Sequence, residues 1–195
     1  MKKILLVGGA GFIGHNLALN LTKANYSVEI IDNLQINNLY HFKQSNEINN
    51  KIYVRFISQR LEYLKNSNIL LHEVDARNYN ALKSVIKKIN PDIIIHFAAV
   101  AHAGKSNKDP HTSFDNSFLT LENTLDASRN IVEHFIYFSS SMVYGNFTTG
   151  TVDEETVCEP LGIYGALKFA GEKIVIAYNQ VFDLPYTIIR PSALY

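Results

Sequence analysis

Six short runs of nearly uninterrupted apolar residues alternate with longer amphipathic stretches: Ile4 to Val7, Val28 to Ile31, Ile69 to Val74, Ile93 to Phe97, Phe135 to Phe138 and Tyr186 to Ile189. Runs of that length without polar alternation fit strands covered on both faces, as in a parallel sheet. The stretches Phe12 to Ala24, Tyr79 to Ile89, Phe114 to Arg129 and Tyr164 to Phe182 are long enough to be the crossover helices that such a sheet needs. The expected fold class is therefore α/β, a doubly wound parallel sheet that takes ligands at the carboxyl ends of its strands. The Asn-rich segment from Asn33 to Asn68 breaks the rhythm and predicts a loop and helix inserted after the second strand. No Pro/Gly/Ser linker or repeat interrupts residues 1–195, which read as one nucleotide-binding domain.

Composition removes several classes of function. Apolar residues make up 47% of the chain and charged residues 18%, a balance that excludes disorder, and no run approaches the ~18 apolar residues of a membrane span. Lys plus Arg and Asp plus Glu are equal at 18 each, without a basic block, so the electrostatic footprint of nucleic-acid binding is missing. Cys158 stands alone, which excludes an internal disulfide, and Met1-Lys2-Lys3 leads into an apolar run too short for a signal peptide. A cytoplasmic protein with no membrane partner is expected.

The first strand runs directly into Gly8-Gly9-Ala10-Gly11-Phe12-Ile13-Gly14 and then a helix. Glycine has three uses there: a sharp turn out of the strand, backbone approach to a pyrophosphate, and close packing of the helix on the sheet. Gly8, Gly11 and Gly14 satisfy one register, and Gly9, Gly11 and Gly14 the other. Asp32 closes the second strand at the distance, about 20 residues on, where an acid accepts hydrogen bonds from a ribose 2′-OH and repels a 2′-phosphate. That favours NAD over NADP; the plainer alternative is a solvated turn residue.

Tyr164 and Lys168 lie four apart at the start of a predicted helix, on one face. An ammonium beside a phenol, joined by the positive nicotinamide ring of bound NAD, favours phenolate, so Tyr164 could take a proton from a hydroxyl while hydride leaves the same carbon. Taken alone, Tyr-x-x-x-Lys is common by chance. Upstream, however, Phe135 to Phe138 delivers Ser139-Ser140-Ser141 to a strand end, where a hydroxyl can donate to the reacting oxygen. His96 reads as packed, His102 and His111 lack metal-ligand spacing, and Cys158 has no base to activate it.

Together these residues resemble the extended short-chain dehydrogenase/reductase family, in its nucleotide-sugar epimerase and dehydratase branch. The resemblance runs through essentially the whole chain and implies a Rossmann-type domain holding NAD. It implies that Gly8, Gly11, Phe12, Ile13 and Gly14 meet the dinucleotide with Asp32 and Asn33, that Asp75 and Ala76 meet adenine, and that Phe97, Ala98 and Ala99 line the cofactor. Gly104-Lys105-Ser106 and Asp109-Pro110 extend the likeness. Ser140 matches the catalytic hydroxyl, with Ser141 the alternative register; Tyr164 and Lys168 match the catalytic pair, which also meets the cofactor; and Pro191 follows Arg190 in the segment after the sixth strand. A homodimer paired through the helices after Asp109 and Tyr164 is likewise implied.

The departures shape the expected reaction. Dehydratases of the family carry an acid pair after the catalytic hydroxyl, where this chain has Ser141 and Met142, so oxidation and re-reduction is expected over loss of water. The usual asparagine after the fourth strand appears as Ser117 or is displaced to Asn116, and a second is replaced by Ala193. Members of the family continue into a C-terminal region that binds the nucleotide diphosphate. The expectation is a fragment that binds cofactor without appreciable turnover, taken from an NAD-dependent epimerase acting at C4 of a UDP-sugar. The alternatives are a nucleotide-sugar reductase or dehydratase and, from another class, a dinucleotide-binding sensor or scaffold without chemistry.

Overall fold

The computed structural model describes residues 1–35, 39–44, 47–147 and 150–192. Among them six strands form one sheet: β1 Lys3–Val7, β2 Ser27–Asp32, β3 Leu70–Glu73, β4 Ile93–His96, β5 His134–Phe138 and β6 Tyr186–Ile189. Their order is β3-β2-β1-β4-β5-β6, and every neighbouring pair is parallel. This is the Rossmann-type order. Its winding reverses between β1 and β4, which opens a crevice at their carboxyl ends.

The apolar runs work because successive side chains point to opposite faces. Leu5, Val7, Ile31, Ile94 and Phe135 join one buried cluster with Leu82 and Ile86 of α4 (Tyr79–Ile89), Leu121 and Leu125 of α7 (Thr120–Ser128) and Val175 of α8 (Gly162–Phe182). Ile4, Leu6, Val28, Ile30 and Ile95 join another with Ala18 of α1 (Phe12–Lys23) and Leu64 of α3 (Ile48–Asn66). Each such side chain contributes about 1.5–3 kcal/mol of burial, so neither face can be uncovered cheaply.

Most boundaries fall within one or two residues of the sequence pattern, and the following differences have a local reason. The third strand is shorter than Ile69 to Val74 because it is an edge pairing with β2 alone, and its Leu70 is 60% exposed. The fourth stops at His96 because the next two N–H groups, of Phe97 and Ala98, both turn back to the Val7 carbonyl at 2.8 and 3.0 Å. The helix expected from Phe114 begins earlier, at α6 (Pro110–Phe114). There the Asp109 carboxylate accepts the Thr112 N–H at 3.0 Å and Pro110 occupies the first turn, a start signal of low cost because proline has no N–H to satisfy. A π-helical turn, Asp115–Leu119, joins α6 to α7. The insertion after β2 folds as α2 (Leu39–Lys43) and α3. Ahead of α6 lies the short α5 (Ala103–Lys108). Among the described residues, no helix is long and apolar enough to cross a membrane.

Candidate functional site

A cleft of about 1020 Å³ runs along the carboxyl ends of the strands. Every residue assigned from the sequence to cofactor or chemistry lines it, from Asp75 and Ala76 beyond β3 to Tyr164, Lys168 and Pro191 beside β5 and β6. Ser141 does not, which distinguishes it from Ser140; its N–H instead bonds the Pro191 carbonyl at 2.9 Å. Ala193 lies outside the described residues.

At one end Gly8, Gly11 and Gly14 line the cleft, and Gly9 does not. Gly8 has φ +77°, and a Cβ there would come within 2.5 Å of the Ala98 backbone nitrogen. At Gly14 a Cβ would lie 2.5 Å from the Gly9 carbonyl oxygen, so the absence of a side chain lets α1 sit directly on the turn. Gly9 faces Leu6 and Ile30 in the core, away from the cleft. Gly11 differs from all of these: a Cβ on it would meet nothing closer than 3.7 Å, because it looks into the cleft. No side chain caps α1, whose first residues Phe12, Ile13 and Gly14 line the cleft with the positive end of the helix.

Asp32 is not a solvated turn residue. Its carboxylate accepts the Ala10 N–H at 3.0 Å and the Leu34 N–H at 2.8 Å, tying the end of β2 to the glycine turn. Burial raises its pKa, and the two backbone donors offset part of that rise. Asp75 is engaged by its near neighbour: Arg77 Nε and Nη2 approach its oxygens at 3.0 and 2.6 Å and hold the carboxyl below its usual range.

At the other end, Ser140 stands at the tip of β5, where it caps a 3₁₀ turn, Ser141–Tyr144, through the Met142 N–H at 3.2 Å. Its hydroxyl shares the cleft wall with the Tyr164 phenol. Lys168, 5% exposed, donates from Nζ to the Phe138 carbonyl at 2.6 Å and lies 5.1 Å from the centre of the Tyr137 ring. Burial pushes its pKa down to about 8. The phenol of Tyr164 is shifted up by burial, and the neighbouring Ser140 hydroxyl counters this in part. The lowering expected from the sequence needs the positive nicotinamide ring as well as the ammonium; burial acts against it, and Lys168 bonds a carbonyl rather than the phenol.

Several residues in the cleft carried no readable signal. Tyr53 and Arg60 reach it from α3, with the Arg60 guanidinium 5.7 Å from the centre of the Phe12 ring. Asn116 lines the cleft from within the π-helical turn, whereas Ser117 holds the Val100 N–H at 3.1 Å. The wider π turn changes which residue faces inward, so no spacing rule could have chosen between the two. His96 is fully buried, with its pKa pushed down to about 3 by desolvation, and is packed rather than exposed to the cleft.

The sequence matches the NAD dependent epimerase/dehydratase family over residues 4–195. Protein CapI of Staphylococcus aureus is 30% identical over 195 residues, covering 99% of this chain and 54% of that protein. The dTDP-D-glucose 4,6-dehydratase of Dictyostelium discoideum is 32% identical over 213 residues, covering 100% of this chain and 44% of the relative. Among solved structures, UDP-glucuronic acid 4-epimerase from Bacillus cereus in complex with NAD superposes with TM-score 0.80 at 28% identity, covering 99% of this chain and 57% of that one. The chain thus spans about half the length of the curated relatives it matches.

Proposed function

We propose a reaction for this chain from the premise that it belongs to the NAD-dependent epimerase/dehydratase family, matched over residues 4–195. The reading is an NAD-dependent nucleotide-sugar epimerase that acts at C4 of a UDP-sugar through a 4-keto intermediate. Its main support is one juxtaposition: the Tyr164 phenol and the Ser140 hydroxyl on the same wall of a dinucleotide-sized cleft, with the buried Lys168 ammonium one turn away.

The residues present fit NAD. Gly11 leaves open space where a side chain would block a pyrophosphate, α1 begins uncapped beside it, and Asp32 offers its remaining lone pairs to a ribose. Asp75, Ala76 and Asn33 would border the adenine end, and Phe97 to Ala99, Lys168 and Pro191 the nicotinamide end. When bound, NAD supplies a hydride acceptor that returns the hydride and ends each cycle unchanged.

The chain's own work is proton and charge handling. Tyr164 takes the proton of the sugar hydroxyl, and Ser140 donates to the same oxygen as charge grows on it. Lys168 supplies the positive field that phenolate needs against burial. Neither Ser141 nor Met142 places an acid just after Ser140, where dehydratases of the family carry a pair, which favours epimerisation over the reaction named for one relative, a 4,6-dehydratase. Pairing of two copies through α6, α7 and α8 belongs to the same proposal.

The test is incubation of the intact enzyme with UDP-glucose, UDP-glucuronic acid and UDP-N-acetylglucosamine and their C4 epimers. Interconversion without net consumption of cofactor supports the reading. Consumption of NADPH with no interconversion replaces it with a reductase, and cofactor binding with neither outcome replaces it with a sensor.

A further inference from the structure

Three successive turns of α8 grip three successive residues at the end of β5. Tyr164 lies beside Ser140 on the cleft wall, Lys168 Nζ meets the Phe138 carbonyl, and Glu172, four residues further along, accepts the Ser139 hydroxyl at 2.5 Å. Positions i, i+4 and i+8 share one helix face, so the three contacts form one seam. Glu172 lies outside the cleft, 1% exposed, and the reaction proposed above gives it no task.

Its carboxylate is bound bidentately by Arg190, with Nε 2.9 Å from Oε1 and Nη2 2.8 Å from Oε2. Arg190 sits just past β6, beside Pro191. Its Nη1 donates to the Tyr144 hydroxyl at 3.0 Å and to the Glu154 carbonyl at 3.3 Å, and its plane lies 5.0 Å from the centre of the Tyr144 ring. One ion pair therefore joins the end of β5, the 3₁₀ turn after it, α8 and the exit of β6, the elements that carry Ser140, Tyr164, Lys168 and Pro191.

The arrangement also has an electrostatic consequence. A buried carboxylate one turn from Lys168 would, if left alone, take that ammonium as its partner. A bidentate guanidinium satisfies it instead, and Arg is suited to this because its planar fork matches both oxygens and keeps its charge throughout the working pH range. Lys168, Glu172 and Arg190 together carry one net positive charge beneath the site.

We propose that Glu172 and Arg190 are positioning residues of the reaction centre: through Ser139 they hold the strand end that presents Ser140, and because Arg190 takes both Glu172 oxygens, Glu172 compensates the Lys168 charge only in part and leaves the rest for Tyr164. The idea rests on the proposed roles of Ser140, Tyr164 and Lys168. Without Arg190, Glu172 compensates Lys168; without Glu172, Lys168 faces an additional unpaired cation.

The titration of Lys168 reads this directly. The groups acting on it are His96 from β4, Tyr137 from β5 and Glu172 from α8, with Arg190 after β6 reaching it through Glu172. Burial keeps His96 neutral, with a pKa of about 3, and raises the Tyr137 phenol, so neither titrates near the pKa of Lys168. Lysine labelled with ¹³C at Cε would be followed by NMR against pH in this chain, with Lys168→Arg to assign the signal. Glu172→Gln is expected to lower the Lys168 pKa and Arg190→Met to raise it, each by about half a unit or more. The double variant Glu172→Met/Arg190→Met is expected to return it close to the parent value, because a paired replacement leaves no unbalanced charge. Shifts of the same sign in both single variants, or no shift in Glu172→Gln, would overturn the proposal. Should Arg190→Met not fold, Glu172→Gln and the double variant decide it: a downward shift in the first that is absent from the second supports the idea, and any other pattern refutes it. This readout needs no turnover, so it can fail while Tyr164→Phe still abolishes epimerisation in the intact enzyme, and the converse also holds.

Discussion

The two ends of the cleft are built by different physics. At the β1–α1 end the work is done by backbone and by missing atoms: Gly8 and Gly14 have no room for a Cβ, Gly11 leaves the space a ligand would fill, and Asp32 spends a lone pair from each oxygen on main-chain N–H groups. At the β5–α8–β6 end the work is done by side-chain charge out of water: Lys168 and Glu172 are 5% and 1% exposed and are held by a carbonyl, a hydroxyl and a guanidinium. Contacts of the first kind are steric and main-chain, and tolerate a narrow range of residues. Those of the second kind depend for their strength on how completely each partner is paired.

The largest contrast comes from Tyr164→Phe in the intact enzyme. Turnover should fall by about 10²–10⁴-fold, the usual share of a positioned acid–base group, while NAD affinity in a titration stays within error. A parallel loss of NAD affinity would merge the two ends into one unit. Gly14→Val is the reciprocal change. With a Cβ 2.5 Å from the Gly9 carbonyl oxygen, α1 must lift from the turn, at a cost of about 1–3 kcal/mol or more, and calorimetry should find both NAD binding and thermal stability reduced. Unchanged binding in this variant would show that the turn end is not steric.

A smaller effect tests charge at the catalytic end. Lys168, pushed down to about 8 by burial, is an ammonium below that pH and loses its charge as pH rises through it. The kcat/KM profile should therefore fall on the alkaline side near pH 8, and Lys168→Arg should move that limb upward at a lower plateau, because guanidinium does not titrate there. An alkaline limb that stays in place in Lys168→Arg would assign it to another group. Asp32→Ala should weaken NAD by roughly tenfold and narrow the preference over NADP, as the Ala10 and Leu34 N–H groups lose their acceptor and the 2′-phosphate loses its repulsion. Retained discrimination would remove Asp32 from the ribose. Last, Arg60→Ala at the rim should weaken NAD only about two- to fivefold, with the difference fading at high salt, as half-exposed charges do.

Legibility of the molecule follows the same divide. The six strands and the helices after them showed in apolar runs and amphipathic stretches, because sheet and helix periodicity is a property of neighbouring residues. Tyr164 and Lys168 were visible for a similar reason, since four residues make one turn. The π turn that carries Asn116 to the cleft was not visible, nor was Arg60, which reaches the cleft from an inserted helix whose packing no spacing announces. The direction of the Tyr164 shift was also hidden, since it depends on burial.

By itself, the order of residues determined the strand, turn and helix that open the chain, the side of the sheet on which a ligand must lie, and the helix face shared by a phenol and an ammonium. Tertiary structure alone decided that Gly8 rather than Gly9 borders the cleft, that Ser140 rather than Ser141 lines it beside Tyr164, and that Glu172 is claimed by a guanidinium 18 residues away. The reason is range. Backbone conformation is set mainly by neighbours along the chain, whereas desolvation and charge pairing depend on every group the fold brings together.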